Sequence, residues 1–180
     1  VNPAWDDMSP QLEIENTSFG FHYVGMRQSA HAGKKNIRMV PLFMPTGRII
    51  EFPDFYTTVH DTPLDDYTTA TYLIDASDVR ALNLQERLTR SGLREERFYK
   101  DSHFVADWED NFHQDRSAMR ARQSWSGFHG ITQEDAVISV SMGPIYDRST
   151  EHLVAADAAI VRLRQRLLDS VKLWQSGQKP

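Results

Sequence analysis

The chain has 180 residues, of which 40% are hydrophobic and 25% charged, so it can bury the core of a globular domain. Its net charge of −5 disfavours nucleic acid and anionic membranes as partners, because neither attracts an acidic surface. The absence of cysteine excludes disulfides, zinc–thiolate sites and all-cysteine iron–sulfur clusters within these residues. With no membrane-length apolar run and no visible signal peptide, we expect a cytoplasmic protein.

The N-terminal part alternates apolar and polar residues with the period of two that is typical of β-strands. Leu12 and Ile14, for example, share one face of the first such segment. A polar, glycine-bearing connection over residues 30–35 predicts a hairpin. The predicted strands are Gln11–Asn16, Ser18–Gln28, Ile37–Met44, Arg48–Phe52, Tyr56–His60 and Asp66–Ile74.

The C-terminal part changes character and predicts helices over Asp78–Ser91, Thr132–Met142 and Ala155–Ser176. Between the first two, Leu93–Arg122 is highly charged and weakly periodic, which predicts a long functional loop. Gly92 is the expected stop of the first helix. In the second helix, we expect Thr132 as the N-cap, with Glu134 and Asp135 in the first turn, where the helix dipole favours acids.

Strands followed by a long C-terminal helix predict an α+β fold, in which a curved antiparallel sheet is covered by that helix in a helix-grip-like arrangement. Such an arrangement can leave a cavity between sheet and helix for a hydrophobic ligand. The whole chain, residues 1–180, is expected to form one incomplete domain, because it begins at Val1 within what reads as ongoing sequence.

Three stretches of sequence carry a resemblance to a known family. The longest is SWSGFHGITQED (Ser124–Asp135), followed by SMGPIYDRS (Ser141–Ser149) and EHL (Glu151–Leu153). The other two are NFHQDR (Asn111–Arg116) and PLDDYTT (Pro63–Thr69). Together they resemble the C-terminal part of the catalytic domain in α subunits of Rieske non-haem iron ring-hydroxylating oxygenases, in the phthalate-dioxygenase-like branch.

The resemblance implies an oxygenase component that activates O₂ at mononuclear Fe(II) to hydroxylate or O-demethylate an aromatic compound. Electrons would pass from a reductase through a Rieske 2Fe–2S cluster, and the enzyme would be a homotrimer. The iron of this family sits in a 2-His-1-carboxylate triad that leaves open positions for O₂ and substrate. Phthalate-like carboxylates, methoxy-aryl acids and chlorinated benzoates all remain open as substrates.

Matching the family's motif residue by residue implies that Asp135 is the carboxylate ligand of the iron. The family's two histidine ligands lie in a D..H....H motif, and no pair of the seven histidines here has that spacing. The cluster motif C.H…C..H is also absent. Both motifs lie upstream of this region in the family, so we expect the 180-residue chain alone to be inactive.

Five further residues are candidates for a substrate pocket. His22 and Arg27 lie on a predicted strand, where an arginine could pair bidentately with a substrate carboxylate or face solvent. Trp125 and Phe128 flank the helix of Asp135 and could touch substrate or belong to the core. His129 could line the pocket or lie on the surface.

A function of another class also remains open. The chain could be a metal-free helix-grip module that binds a small apolar ligand, and its missing histidines favour this if the 180 residues are the whole gene product. A structural role in trimer contacts is a third alternative. The sequence preceding Val1 discriminates the enzyme from the module, because the enzyme requires the paired Cys/His and D..H....H motifs there.

Overall fold

A computed structural model describes residues 7–29, 31 and 33–180 of the chain. The chain divides into two compact units. The first comprises Val1–Arg80 and Thr150–Pro180, and the second comprises Ala81–Ser149. In the described ranges, no helix is long and apolar enough to cross a membrane.

The first unit contains an antiparallel sheet whose six described strands follow one another in chain order. Each strand pairs with its neighbour in sequence, as expected for strands joined by short turns. The predicted strands are therefore confirmed, with ends that move by a few residues. The strands are β1 (Gln11–Asn16), β2 (Gly20–Gln28), β3 (Lys35–Phe43), β4 (Gly47–Glu51), β5 (Tyr56–Pro63) and β6 (Thr69–Ala76).

The connection between β2 and β3 is the predicted hairpin, since Gln28 pairs with Lys35 at its base. Ser29 N donates to Lys34 O over 3.2 Å, and Gly33 has a left-handed φ of 75° that suits glycine. Ala30 and Ala32, which belong to the same predicted connection, lie outside the described residues.

One face of this sheet carries the buried side chains of the first unit. Because side chains alternate between faces along a strand, the register assigns Phe21, Val40, Thr57 and Val59 to the same face. All four are at most 6% exposed. We refer to this side of the sheet as the core face.

The C-terminal helix α4 (Ala158–Gln175) follows a 3₁₀ turn over Ala155–Asp157. Arg164 of α4 donates to both carboxylate oxygens of Glu151 over 2.6 and 2.7 Å. This bidentate pair fixes α4 to the segment before it. The sheet and α4 confirm the predicted α+β fold.

The second unit builds its core from residues that the sequence assigned to a loop. Within Leu93–Arg122 the structure forms short strands β7 (Tyr99–Lys100) and β8 (His103–Phe104), a 3₁₀ turn (Asn111–His113) and helix α2 (Arg116–Arg120). Phe98, Ala106 and Phe112 from this stretch are buried together. The predicted long loop is therefore wrong, because a few widely spaced aromatic residues suffice to pack the segment despite its charge.

Two longer helices belong to the same unit, and their starts differ from the predicted ones. Helix α1 (Leu84–Ser91) begins at Leu84 rather than at Asp78, and the side chain of Asn83 caps it. Its predicted stop, Gly92, is confirmed as a left-handed C-cap with φ 78°. Helix α3 (Ile131–Ser141) has Gly130 at the N-cap, so the predicted N-cap Thr132 is wrong.

Candidate functional site

Asp135 is the fifth residue of α3, one position beyond the first turn in which the sequence had placed it. Helix α3 is oriented by its inner side, where Val137 packs against the Phe98, Ala106 and Phe112 cluster. Asp135 points away from that cluster and is exposed. The carboxylate is thus presented on the outer side of a helix whose inner side is held by a core.

The outer side of α3 is apolar around this carboxylate. At about 100° per residue, Ile131, Asp135, Ile138 and Met142 fall within roughly 60° of one another. The three apolar members are 64%, 65% and 50% exposed. We call these four residues the α3 stripe. A surface helix normally directs such apolar residues inward, so an apolar stripe that surrounds a carboxylate and faces outward is unusual.

Tyr99 links β7 to the same helix. Its hydroxyl donates to the backbone carbonyl of Thr132 over 3.0 Å. Burial, together with the negative charge of Asp135, raises the pKa of Tyr99 to about 12. The phenol therefore stays protonated at physiological pH and remains a hydrogen-bond donor to α3.

The loop before α3 is held against the segment Asn111–Arg116, so two of the three signature stretches lie side by side. Gln114 Nε2 donates to Ser126 O over 2.6 Å, and Asp115 N donates to Gly127 O over 3.0 Å. Gly127 has a φ of 81° and no space for a side chain, since a Cβ there would lie 2.8 Å from Gln114 Cγ. Ser126 also donates to Glu134 on α3.

The three pocket candidates near α3 occupy different environments. Trp125 is 96% exposed. Phe128 is half-buried and packs edge-on against Phe98 at 6.0 Å, so it extends the core. His129 is exposed, and its Nδ1 lies 3.2 Å from the Glu95 carboxylate. The structure therefore does not gather these three side chains into a single pocket within the second unit.

The two pocket candidates of the first unit lie on opposite faces of the sheet. His22 pairs with Glu15 and Pro41, whereas Arg27 follows Phe21 on the core face at odd positions of β2. The His22 ring contacts the Phe19 ring at 5.7 Å. The two candidates cannot line one cavity on a single face, which a separation of five residues along a strand already implies.

Arg27 instead lines a shallow depression of about 170 Å³ on the core face, toward the hairpin end of β2 and β3. The floor is Gly25, which pairs across the strands with Leu12 on one side and Arg38 on the other. Tyr23 and Pro10 complete its lining. Two arginines and a tyrosine thus line a depression whose floor is the backbone of Gly25.

Gly25 and Arg38 were not among the residues predicted from the sequence. The available signal was a glycine inside an otherwise regular strand, which often marks a close approach of a ligand or another chain. A Cβ added at Gly25 would lie 3.8 Å from Leu12 Cδ2 and 4.0 Å from Arg27 Nη1. The floor therefore has room for a methyl group, so the backbone alone does not require glycine here.

In the part of the chain that the structure describes, no three His, Cys, Asp or Glu side chains lie close enough together to hold a metal ion. Asp135 can thus supply one oxygen ligand, and a complete metal site built around it would need ligands from outside these described residues.

The family model described as "LigXa C-terminal domain like" matches residues 1–180. The chain belongs to this family. The phthalate 4,5-dioxygenase oxygenase subunit of Pseudomonas putida is 29% identical over 182 residues, which cover 96% of this chain and 40% of that protein. The 3-chlorobenzoate-3,4-dioxygenase oxygenase subunit of Comamonas testosteroni is 35% identical over 63 residues, 35% of this chain and 15% of that protein.

This LigXa C-terminal-domain-like chain therefore spans at most about two fifths of the length of these relatives. Both relatives are oxygenase subunits of aromatic dioxygenases. The predicted resemblance to the C-terminal part of the α subunit of Rieske-type ring-hydroxylating oxygenases is thereby confirmed at the level of the family.

Proposed function

We propose that this chain is the C-terminal part of the catalytic domain of an aromatic ring-hydroxylating oxygenase, and that Asp135 is the carboxylate ligand of its mononuclear Fe(II). The observation that carries the proposal is the place of Asp135 on the α3 stripe. It rests also on the resemblance of Ser124–Asp135 to the signature of Rieske-type oxygenases, in which the final aspartate corresponds to Asp135.

The α3 stripe supports a metal ligand on physical grounds. A further element that covers Ile131, Ile138 and Met142 would remove apolar surface from water at about 25 cal/mol per Å². The same element would also bury the Asp135 carboxylate, and removing a negative charge from water costs several kcal/mol unless a positive charge compensates it. A divalent cation bound to the carboxylate offsets that cost, so the stripe can be covered without leaving a bare anion.

The donor chemistry agrees with Fe(II). When bound in a 2-His-1-carboxylate triad, the iron supplies open coordination positions at which O₂ is activated beside the substrate. The carboxylate of Asp135 supplies a hard, anionic oxygen on a helix whose other side is packed. The two imidazole ligands come from outside the present sequence, because its histidines lack the family's spacing.

We further propose an aromatic carboxylate as the substrate. The Gly25 depression is lined by Arg27 and Arg38 beside the ring of Tyr23. Arg27 Nε donates to Asp7 O over 3.1 Å, so its two terminal nitrogens would bind the carboxylate. Guanidinium groups bind carboxylates bidentately, and a phenol ring packs against an aryl ring. Both relatives are named for aromatic carboxylates, phthalate and 3-chlorobenzoate.

Loss of one guanidinium group should weaken the binding of an aromatic carboxylate more than the binding of a neutral aromatic compound. In the intact oxygenase, we expect Arg27→Met to raise the KM for an aromatic carboxylate roughly 10–100-fold, because a hydrogen bond to a charged group contributes about 1.5–3 kcal/mol. Gly25→Ala should raise it about tenfold by filling the floor, since one methyl group of mismatch is worth about 1–3 kcal/mol. Steady-state kinetics with a neutral aromatic compound alongside the carboxylate measures both effects.

The exposed Arg94 provides the matched control, and Arg94→Met should leave both KM values unchanged. An Arg27→Met enzyme that binds the carboxylate as tightly as the parent would contradict the assignment of this depression to substrate.

The rest of the proposed enzyme lies beyond these residues. It comprises the Rieske 2Fe–2S cluster domain and the two iron-binding histidines, receives electrons from a reductase, and assembles as a homotrimer in the cytoplasm. Its reaction is dihydroxylation, monooxygenation or O-demethylation of the ring substrate.

Labelled oxygen tests the proposed reaction. The intact oxygenase, supplied with its reductase, an aromatic carboxylate and ¹⁸O₂, should form a hydroxylated product that carries ¹⁸O. Two labelled atoms identify dihydroxylation, and one identifies monooxygenation. The purified 180-residue chain with added Fe(II) should form no product. Unlabelled hydroxylated product from an aromatic carboxylate that carries no methoxy group, or turnover by the chain alone, would contradict the proposal.

A further inference from the structure

Gln133 is a polar side chain that is completely buried, at 0% exposure, in the first turn of α3. Its Nε2 donates to Gly92 O over 3.0 Å. Its Oε1 accepts from His129 N over 3.2 Å and from Gly130 N over 3.4 Å. Glutamine is seldom fully buried, and here both ends of the carboxamide are satisfied by the end of α1 and the start of α3.

Gly92 and Gly130 lie close to Gln133 in space, and neither position has room for a side chain. A Cβ on Gly92 would lie 2.6 Å from Gln133 Nε2. A Cβ on Gly130 would overlap the Ser91 carbonyl and lie 2.7 Å from Gly92 N. The C-terminal end of α1 therefore lies directly against the N-terminal end of α3, and Gln133 joins them from inside.

Glu95 extends this contact to the surface. Its carboxylate accepts hydrogen bonds from the Gln133 side chain, and from Arg97 over 3.0 and 2.8 Å. His129 Nδ1 lies 3.2 Å away. Partial burial raises the pKa of Glu95, but the hydrogen bonds from Gln133, Arg97 and His129 outweigh it and hold that pKa below its usual value. The carboxylate is thus a stable anion that faces Gln133.

Gln133 and Asp135 point to opposite sides of α3. Two residues correspond to about 200° of rotation, and accordingly Gln133 is buried while Asp135 is exposed. Side-chain tips lie about 5–6 Å from a helix axis, so a rotation of roughly 10° displaces the Asp135 carboxylate by about 1 Å. Metal–ligand distances tolerate only about 0.2 Å. A fixed rotation of α3 is therefore a requirement for Asp135 to hold a metal.

We infer that Gln133 is a positioning residue for the metal site, which fixes the rotation of α3 through Gly92, Gly130 and Glu95 and so sets the direction of the Asp135 carboxylate. The inference rests on the proposed function, because Gln133 can position a metal ligand only if Asp135 binds iron. It requires no contact between Gln133 and the metal.

The test uses the intact oxygenase and variants of similar side-chain size. Gln133→Met removes every hydrogen bond of the carboxamide, and Gln133→Glu places a second carboxylate beside Glu95. Both should weaken Fe(II) binding 10–100-fold in competition with a chelator, the usual effect of changing a group behind a metal ligand. Both should also alter the visible spectrum of the Co(II)-substituted site. In metal-free protein they should speed amide hydrogen exchange over residues 130–135.

A conservative variant separates positioning from simple loss of stability. Glu95→Gln keeps an acceptor oxygen beside Gln133 and leaves the bond from Gln133 Nε2 to Gly92 O intact, so it should retain the parent Co(II) spectrum and Fe(II) affinity to within about threefold. The exposed Gln123 provides the control, and Gln123→Met should change neither quantity.

Unaltered Fe(II) affinity and Co(II) spectrum in Gln133→Met and Gln133→Glu, with iron lost from Asp135→Ala, would overturn the inference and leave the proposed function standing. An equal loss of Fe(II) affinity in Glu95→Gln would also overturn it, because that variant keeps the carboxamide of Gln133 and its bond to Gly92 O. Retention of iron by Asp135→Ala would instead refute the proposed function. The two failures are therefore distinguishable, and Gln133→Glu decides the matter if Gln133→Met does not fold.

Discussion

An Asp135→Ala variant of the intact oxygenase is expected to lose its mononuclear iron while the spectrum of its Rieske cluster is unchanged. Without the carboxylate, the metal loses its anionic ligand. The positive charge of the iron would then be buried against the α3 stripe without the negative charge that balances it. The expected fall in iron affinity exceeds about 100-fold, because even groups that only support a metal ligand contribute 10–100-fold. Iron per subunit, measured after dialysis, and turnover of the aromatic substrate should fall together.

Two matched variants locate this effect. Glu96 is an exposed acid of the same unit, and Glu96→Ala should retain full iron. Glu134 lies beside Asp135 and accepts a hydrogen bond from Ser126, so Glu134→Gln should retain iron as well. Full iron content and turnover in Asp135→Ala, or an equal loss in Glu134→Gln, would show that the ligand assignment is wrong.

Gly130→Ala is expected to loosen the junction between α1 and α3 more than any other glycine-to-alanine change that flanks α3. The backbone of Gly130 is extended, with φ −128°, so alanine meets no conformational strain there. Its Cβ would instead overlap the Ser91 carbonyl, which is backbone and cannot rotate away. We expect a loss of about 3 kcal/mol in local stability, at the upper end of the usual penalty for overpacking.

Hydrogen exchange of the amides of α1 and α3 measures this loss where it occurs. The control is Gly143→Ala, just beyond the other end of α3. Gly143 has a φ of 86° but nothing within 4 Å of its would-be Cβ, so alanine there should cost only about 1 kcal/mol through backbone strain. If the amides of α1 and α3 exchange equally fast in the two variants, then the close contact between Gly130 and Ser91 does not determine the stability of this junction.

The sheet was predictable because its information is local. Alternation along β1, where Leu12 and Ile14 share a face, specifies a strand independently of the rest of the chain. The same alternation shows that His22 and Arg27 face opposite ways, an implication that the sequence analysis left undrawn. The depression at Gly25 depends on pairing with Leu12 and Arg38, which no single strand reveals.

The core of the second unit was hidden from sequence. Phe98 and Phe112 belong to it, yet their spacing follows neither a helical period nor a strand period. The many charged residues between Phe98 and Phe112 indicated a loop. The structure instead depends on contacts between residues that are distant in sequence. The buried Gln133 is a similar case, since its burial depends on Gly92, 41 residues earlier in the chain.

Part of the candidate site could likewise be predicted from the sequence, and part of it could not. The motif identified Asp135 without any geometry. The outward apolar stripe of Ile131, Ile138 and Met142 emerged only once Val137 was seen to face the core. Trp125 and Phe128 are close in sequence but lie in an exposed and a half-buried environment, because the chain bends between them at Gly127, which has a left-handed φ.

Anomalous diffraction at the iron edge, from crystals of the intact oxygenase, would show whether Asp135 binds the iron. We predict a mononuclear iron peak within roughly 2.0–2.3 Å of a carboxylate oxygen of Asp135, the distance of a bonded carboxylate on a first-row divalent metal. A mononuclear iron whose ligands do not include Asp135 would contradict it.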